Sequence, residues 1–533
     1  MAAPTYATDL TDILDFESAT TLNTEVVGYT ATSKPGVSSD FPIQGTGHAD
    51  AEQRTTGNGS LVADNGSGVS WTSGDYVFLW GVFLAPAAVN SFANAGIEFY
   101  IGADISNGYR WTVGGNDFGR YPYGGWQNFV VDPEISTGRS NVGSGAGTTY
   151  RWFGILCNVI SAISKGSPYG IDVIRYGRGE ISAINGETAD YATFVGMAAE
   201  NDYNDAINGY HRWGLFTYQA GSYLWKGLMS LGTTTSPVDF RDSNRFIVID
   251  NNITVNSDFN KIEINDSTSN VEWTNISFTS LGTTSIGDFE MVDNATVSMD
   301  TCSFTDMGTF IFQSNADISG TTFRRCTSVT QGGATFDGCI FENCDSTSSL
   351  FVDDLDEISN CSFQSDGSNH AIELDSNHAG GSFSLINCSY TDYATSNGST
   401  GNEPIYNNSG GAVTINVTGG DYPYYRNGSG ASTNVVQSIN WYFKIVDADG
   451  DVVNTSEFRI YDSDNNQLFG VETSDGTELY SFDGSLSGSS ARVVVHDLNY
   501  LHNTQTLVHP STSNTAAAPT VIVLAVDRVY ENA

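Results

Sequence analysis

Thr301-Cys302-Ser303-Phe304, Gly320-Thr321-Thr322-Phe323, Gly338-Cys339-Ile340-Phe341, Asn360-Cys361-Ser362-Phe363 and Asn387-Cys388-Ser389-Tyr390 are copies of one short motif. Asn275-Ile276-Ser277-Phe278 precedes them, and a degraded copy, Asn416-Val417-Thr418-Gly419, follows. The aromatic positions lie 26, 19, 18, 22 and 27 residues apart. A fixed local motif at uneven spacing means one structural turn per copy, with loops of variable length between; this is the pattern of a stacked solenoid. The Cys and the aromatic are two residues apart, so they share one face of a strand. Five residues before each aromatic stands another apolar residue: Trp273, Met299, Ile318, Phe336, Ile358 and Leu385. Between the two lies Asn, Gly or Thr, which bends the chain; Asn and Gly tolerate the left-handed backbone such a bend needs.

A second ladder interleaves with the first: Phe289-Glu290-Met291, Phe310-Ile311-Phe312, Leu350-Phe351-Val352, Ile372-Glu373-Leu374 and Ile405-Tyr406-Asn407. Two or three short strands per turn, apolar inward and Ser, Thr, Asp or Asn outward, make a parallel β-helix. Over roughly a third of the chain these residues resemble the right-handed parallel β-helix superfamily, which includes pectate-lyase-like enzymes and phage tailspikes. The resemblance implies the fold and a parallel homotrimer, and fold alone does not fix activity.

The expected class is all-β in three parts. Residues 1–240 alternate strand-like runs such as Tyr76–Leu84, Gly96–Gly102 and Tyr150–Leu156 with Gly/Asn/Asp turns, as in a jelly-roll or lectin-like β-sandwich. Residues 241–432 form the β-helix. Residues 433–533 read as an Ig-like sandwich, similar to transthyretin-like modules, with the apolar run Thr520–Asp527 as a central strand. A solenoid needs covered ends. The N-terminal sandwich is expected to cover one and the C-terminal module the other.

The chain carries 21 basic and 61 acidic residues, a formal charge of −40. That sign disfavours nucleic acid and anionic membrane as partners, since both carry the same charge, and neither is expected. No apolar run of membrane-spanning length and no basic secretory leader stand in the sequence. Seven cysteines without a CxxC pair argue against a disulfide framework or a zinc site. Cys302, Cys339, Cys361 and Cys388 share one solenoid column with Phe278, Phe304, Phe323, Phe341, Phe363 and Tyr390, and read as buried free thiols of a protein assembled in a reducing cytoplasm.

Candidate chemistry is sparse. Asp353, Asp354, Asp356 and Glu357 mark a solenoid corner, with Glu373 and Asp375 one turn on. Paired carboxylates cleave glycosides by acid and base action, or hold calcium through oxygen, or are simply a solvated corner, which is the preferred reading. Asp447, Asp449 and Asp451, and likewise Asp462 and Asp464, echo the start of a calcium loop. The closing position would be Phe458 or Thr473 rather than Glu, and hairpin turns explain both segments. No cofactor is expected, with Ca²⁺ the one alternative. Tyr109, Trp111, Tyr121, Tyr123 and Trp126 stand near Gly-rich loops; they are sugar-stacking candidates or, more simply, sandwich core.

Three function classes follow. The favoured one is a non-enzymatic virion structural protein of a bacteriophage: a trimeric fibre, spike or decoration protein that binds other virion proteins and displays a domain to a host surface. The alternatives are a tailspike-like polysaccharide depolymerase and a glycan-binding adhesin.

Overall fold

The computed structural model describes residues 3–17, 21–22, 25–31, 33–38, 42, 46–52, 55–72, 76–84, 88, 90–114, 125–136, 138–163, 169–186, 189–201, 215–219, 222–243, 246–250, 259–281, 286–292, 294–344, 347–398, 401–454, 456–462, 465–471, 479–487, 490–497, 500–508, 514 and 516–525. The chain divides into two compact units, one of residues 1–296 with 306–308, the other of 297–305 with 309–533. Both are built almost wholly of strands, and both contain parallel β-helix turns. Among the described residues no helix is long and apolar enough to cross a membrane.

In the first unit, alternating sequences fold into two facing, mainly antiparallel sheets. One runs Arg139–Val142, Asn107–Gly114, Phe92–Asp104, Thr149–Val159, Gly57–Ser70; the other runs Gly125–Val131, Val77–Leu84, Tyr169–Gly177, His48–Glu52, Ser33–Ser38. Their inner faces meet in an aromatic core in which Trp80 stacks on Phe99 with centroids 4.8 Å apart. The parallel rung-to-rung pairing of the solenoid begins at Glu180–Ile184, ahead of the 241 boundary expected from the motif. This strand pairs with Leu228–Leu231, which pairs with Lys261–Ile264. The early turns lack the Cys-aromatic motif, so nothing local announces them.

The N-terminal end of these turns is closed from within the solenoid segment. A short helix, Phe194–Asn201, lays the buried Phe194 ring against Phe240 at 4.7 Å and Trp273 at 5.8 Å. Thr193 caps it, its hydroxyl accepting from the Gly196 amide at 3.0 Å, while Asp242 accepts from the Phe194 amide at 2.9 Å. Thr5–Thr8 pairs antiparallel with Glu180–Ile184 and covers that edge.

The second unit shows the repeat most clearly, with three short strands per turn. The strand before the bend runs through Ala316–Ser319, Thr335–Asp337, Ile358–Ser359, Gly381–Ile386 and Ala412–Thr418. The strand after the bend runs through Ser303–Thr305, Thr322–Arg324, Ile340–Glu342, Ser362–Gln364 and Ser389–Thr391. The third runs through Thr309–Ile311, Ser328–Thr330, Ser348–Val352, His370–Leu374, Ile405–Asn407 and Tyr425–Asn427. Register is strict: Phe304 pairs with Phe323, Phe323 with Phe341, Phe341 with Phe363, and Phe363 with Tyr390. The rings stack at 5.4, 5.3, 4.9 and 5.6 Å with interplanar angles of 21° or less. In the first unit Phe278 is likewise buried and packs on Trp273 at 5.3 Å.

The residue before each Cys position takes a positive φ: Asn275 (55°), Thr301 (55°), Gly320 (53°), Gly338 (66°), Asn360 (54°) and Asn387 (52°). Asn387 also donates from Nδ2 to Asn360 Oδ1 at 3.1 Å, and Asn360 donates to Asp337, so side chains tie the bends rung to rung. Asn387→Gly keeps the bend and loses only this exposed bond, so it is expected to cost under about 1 kcal/mol, whereas Asn387→Ala loses the same bond and adds roughly 1–2 kcal/mol from the left-handed backbone. Urea midpoints of the two variants check this; equal midpoints would show that the bend does not discriminate.

The cysteine column is interrupted by Thr321, whose hydroxyl accepts from the Cys302 amide at 3.3 Å. Cys339 donates to the Ile318 carbonyl at 3.3 Å and Cys361 to that of Ser359 at 3.1 Å, and all seven cysteines are free and buried. Burial pushes the Cys388 thiol up to about 12, and the adjoining Cys339 thiol, with burial, pushes Cys361 up as well.

Ser432–Val446 is one unbroken strand. Its first half pairs in parallel with Ala412–Thr418, and its outer edge is covered antiparallel by Tyr480–Ser487. The C-terminal sandwich is thus spliced directly onto the last rung. Gly419 and Gly420, at φ 69° and 67°, turn the chain so that Asp421 accepts from the Tyr390 amide at 3.0 Å and closes the neighbouring edge. The sandwich core gathers Trp441, Phe443, Ile445, Phe458, Ile460 and Val493. Thr520–Val523 pairs with Phe443–Val446 alone and leaves Val521 and Val523 exposed, so within the described residues it lies at an edge, not centrally. Its apolar run alternates inward and outward rather than being buried on both faces.

Candidate functional site

The acidic corner follows Ser348–Val352 in the third-strand column, where the chain makes a single 3₁₀ turn, Leu355–Glu357. Asp354 caps that turn, its Oδ1 accepting from the Asp356 amide at 3.1 Å. Asp353 Oδ1 accepts from the Gly333 amide of the preceding rung at 2.8 Å. Glu357 accepts from the Thr335 hydroxyl at 2.7 Å, and Asp356 accepts from the Ser384 amide of the next rung. Beneath the corner lies the fully buried Gln331. Its Oε1 accepts from the Asp353 and Asp354 amides at 3.1 and 2.9 Å, and its Nε2 donates to the Ala334 and Asp354 carbonyls at 3.1 and 2.7 Å. The corner is a rung-to-rung clasp made of carboxylates.

One rung on, Asp375 accepts from the Asn377 amide at 2.6 Å. Glu373 stands on the outward face of its strand yet is only 6 % exposed. It accepts from the Ser348 hydroxyl and the Asn408 side-chain amide, both at 2.9 Å. Register places Phe351, Glu373, Tyr406 and Arg426 in one cross-strand column. The Arg426 guanidinium lies 5.5 Å from the Tyr406 centroid, and the His370 ring stacks on Tyr406 at 4.9 Å. His370 Nδ1 bonds the Glu403 carbonyl at 2.7 Å, and Glu403 is itself 0 % exposed. Two carboxylates, an imidazole and a guanidinium thus share one polar patch, of which the sequence had marked only Glu373. His370 opens the same strand as Glu373, whereas Glu403 and Arg426 come from segments 30 or more residues away that only the rung register brings together.

Both Asp-rich segments of the C-terminal sandwich are turns. Asp447 Oδ1 accepts from the Asp449 and Asp451 amides at 3.0 and 2.9 Å, with Gly450 at φ 90° completing the hairpin. Asp462 accepts from the Asn466 amide at 2.8 Å and side chain at 2.9 Å; Asp464 lies outside the described residues. Such side-chain-to-backbone bonds are the reason Asp favours turns. Among the described residues no group of three or more His, Cys, Asp or Glu side chains has the geometry of a metal site.

Of the aromatic set, Trp111 is 2 % exposed and belongs to the sandwich core, where it cannot stack on a sugar. Tyr109 is half-buried, edge-on to Trp111 at 6.1 Å, with the Arg139 guanidinium 4.4 Å from its ring centre. Tyr121, Tyr123 and the side chain of Trp126 lie outside the described residues.

No protein-family model matches the chain, and no curated protein sequence does. Two solved structures are similar to it. The Agl-KA catalytic domain shares 11% identity at a TM-score of 0.19, covering 79% of this chain and 98% of its own. The catalytic unit of the thermostable GH87 α-1,3-glucanase from Streptomyces thermodiastaticus strain HF3-3 shares 9% at a TM-score of 0.19, covering 84% and 92%. Likeness of this degree bears on neither activity nor site.

Proposed function

We propose that the chain is a non-enzymatic structural protein of a bacteriophage virion: a fibre, spike or decoration protein on head or tail, assembled in the host cytoplasm. Its β-helix turns supply stiffness, and a terminal sandwich attaches to the particle or faces the host. The observation that supports this most is the use made of the carboxylates. Asp353, Asp354, Asp356, Glu357 and Asp375 each hold a backbone amide or hydroxyl, and Glu373 and Glu403 are almost sealed from solvent. A hydrolase needs a carboxyl pair that reaches substrate. The strong negative charge suits a soluble particle surface. Homotrimeric assembly belongs to the same proposal. Mass spectrometry and cryo-EM of purified virions that carry the chain test it. A symmetric density docked through one terminal sandwich is expected; absence of the protein from intact particles would sink the idea.

A second reading, cleavage of a surface polysaccharide, is favoured by one observation: Glu373, Glu403 and Arg426 are the charged groups gathered around His370. A carboxylate acid-base pair there would require the patch to open.

A further inference from the structure

We propose that the rung built on His370–Leu374 is an acid-sensitive joint in the second unit. Two imidazoles are buried along it, each 4 % exposed: His370 opens the strand, and His378 lies in the turn that follows. They are held in different ways. His370 has its Nδ1 bond to Glu403 and its stack on Tyr406, with Glu403, Glu373 and Arg426 as the charged groups around it. His378 has no well-formed hydrogen bond at either ring nitrogen, only the adjoining Ala379 backbone acting on the ring, and it packs edge-on against Phe383 at 4.5 Å. The charged groups around it are Asp353, Asp354 and Asp375, and the carboxylate of each already accepts from a backbone amide.

Neither ring is hydrogen-bonded to a carboxylate, and a buried imidazole without such a partner is poorly suited to the charged state. Burial holds both rings below the ordinary imidazole value of 6.5, outweighing the pull of the nearby carboxylates. The closed rung therefore holds both histidines neutral, whereas an opened rung lets them take up protons at their ordinary value. Above that value the rung keeps its full stability. As pH falls below it, the open state binds more protons and gains population, until the depressed values of the closed state are reached. Each histidine can raise the open-to-closed ratio by at most about tenfold per pH unit, and the two together by about a hundredfold. Residues 309–344, the rungs just before, contain no histidine. Their perturbed acid, Asp337, is held below its ordinary range by the Ser359 hydroxyl and Asn360 and so titrates well below this window.

Hydrogen exchange of the whole protein, corrected for intrinsic rates and compared between about pH 7 and about pH 5, reads the joint directly. Opening of 370–391 is expected to rise about tenfold relative to 309–344. His378→Phe keeps the ring packing on Phe383 and removes both stranded nitrogens, so it should fold and lose part of that response. Adding His370→Gln should remove the rest. An equal pH response in the two segments would overturn the proposal. So would an undiminished response in His378→Phe, which decides the matter alone if the double variant does not fold.

Discussion

Phe341→Ala is expected to cost about 3–5 kcal/mol, the usual range for emptying a buried phenylalanine site. Phe341 is fully buried and lies between two rings, Phe323 at 5.3 Å and Phe363 at 4.9 Å, with Phe336 filling the side at 5.8 Å. In a compact globule neighbouring chains can shift into such a void. Here the backbone is fixed above and below by parallel pairing of Ile340 with Thr322 and with Ser362, so little collapse is available. The loss should also spread, because each rung is supported only by the next. Chemical denaturation followed by circular dichroism measures it. A cost under about 1 kcal/mol would mean that the ring stack is not what holds the rungs together.

Gln331→Leu is the second large effect. Leucine fills most of the glutamine's volume but strands the Asp353 and Asp354 amides, which both end on Gln331 Oε1. At about 1–3 kcal/mol for each buried donor left without an acceptor, the cost is roughly 2–6 kcal/mol. Gln331→Glu keeps the acceptor, but it sets a carboxylate against the Ala334 and Asp354 carbonyls that Nε2 now serves. It is expected to be no better at neutral pH and to recover partly on acidification, as the carboxyl gains a proton to donate. The same denaturation experiment at two pH values resolves this. Both variants behaving like the parent would show that the acidic corner is not clasped from beneath.

The repeat was legible because its information is local. Asn or Gly before the Cys position, and the aromatic two residues beyond, specify a bend and an inward column within four residues. The left-handed backbone at Asn360 and Asn387 is the physical content of that spelling. The polar patch was illegible for the opposite reason. Glu373 meets Asn408 across 35 residues, and Glu403 meets His370 across 33. With loops of uneven length, no periodicity brings these pairs into view. Asn407 shows the same limit: it occupies an inward position that leucine holds one rung before. It is satisfied by donating from Nδ2 to the Ser432 carbonyl at 3.1 Å and the Thr433 hydroxyl at 3.0 Å. The solenoid cap escaped because Phe194 lies in a segment without the motif. The Asp-rich segments of the C-terminal sandwich were ambiguous in principle, since calcium loops and Asp-capped hairpins draw on the same residues.

The claim that the solenoid's acidic residues hold rungs together rather than cut glycans is tested most directly by one assay. The intact protein is incubated with surface polysaccharide from candidate host cells, and new reducing ends are counted. None above the buffer control is expected, in the parent and in Glu373→Gln alike. Release of reducing ends by the parent that disappears in Glu373→Gln, with the fold retained, would contradict it and establish a depolymerase.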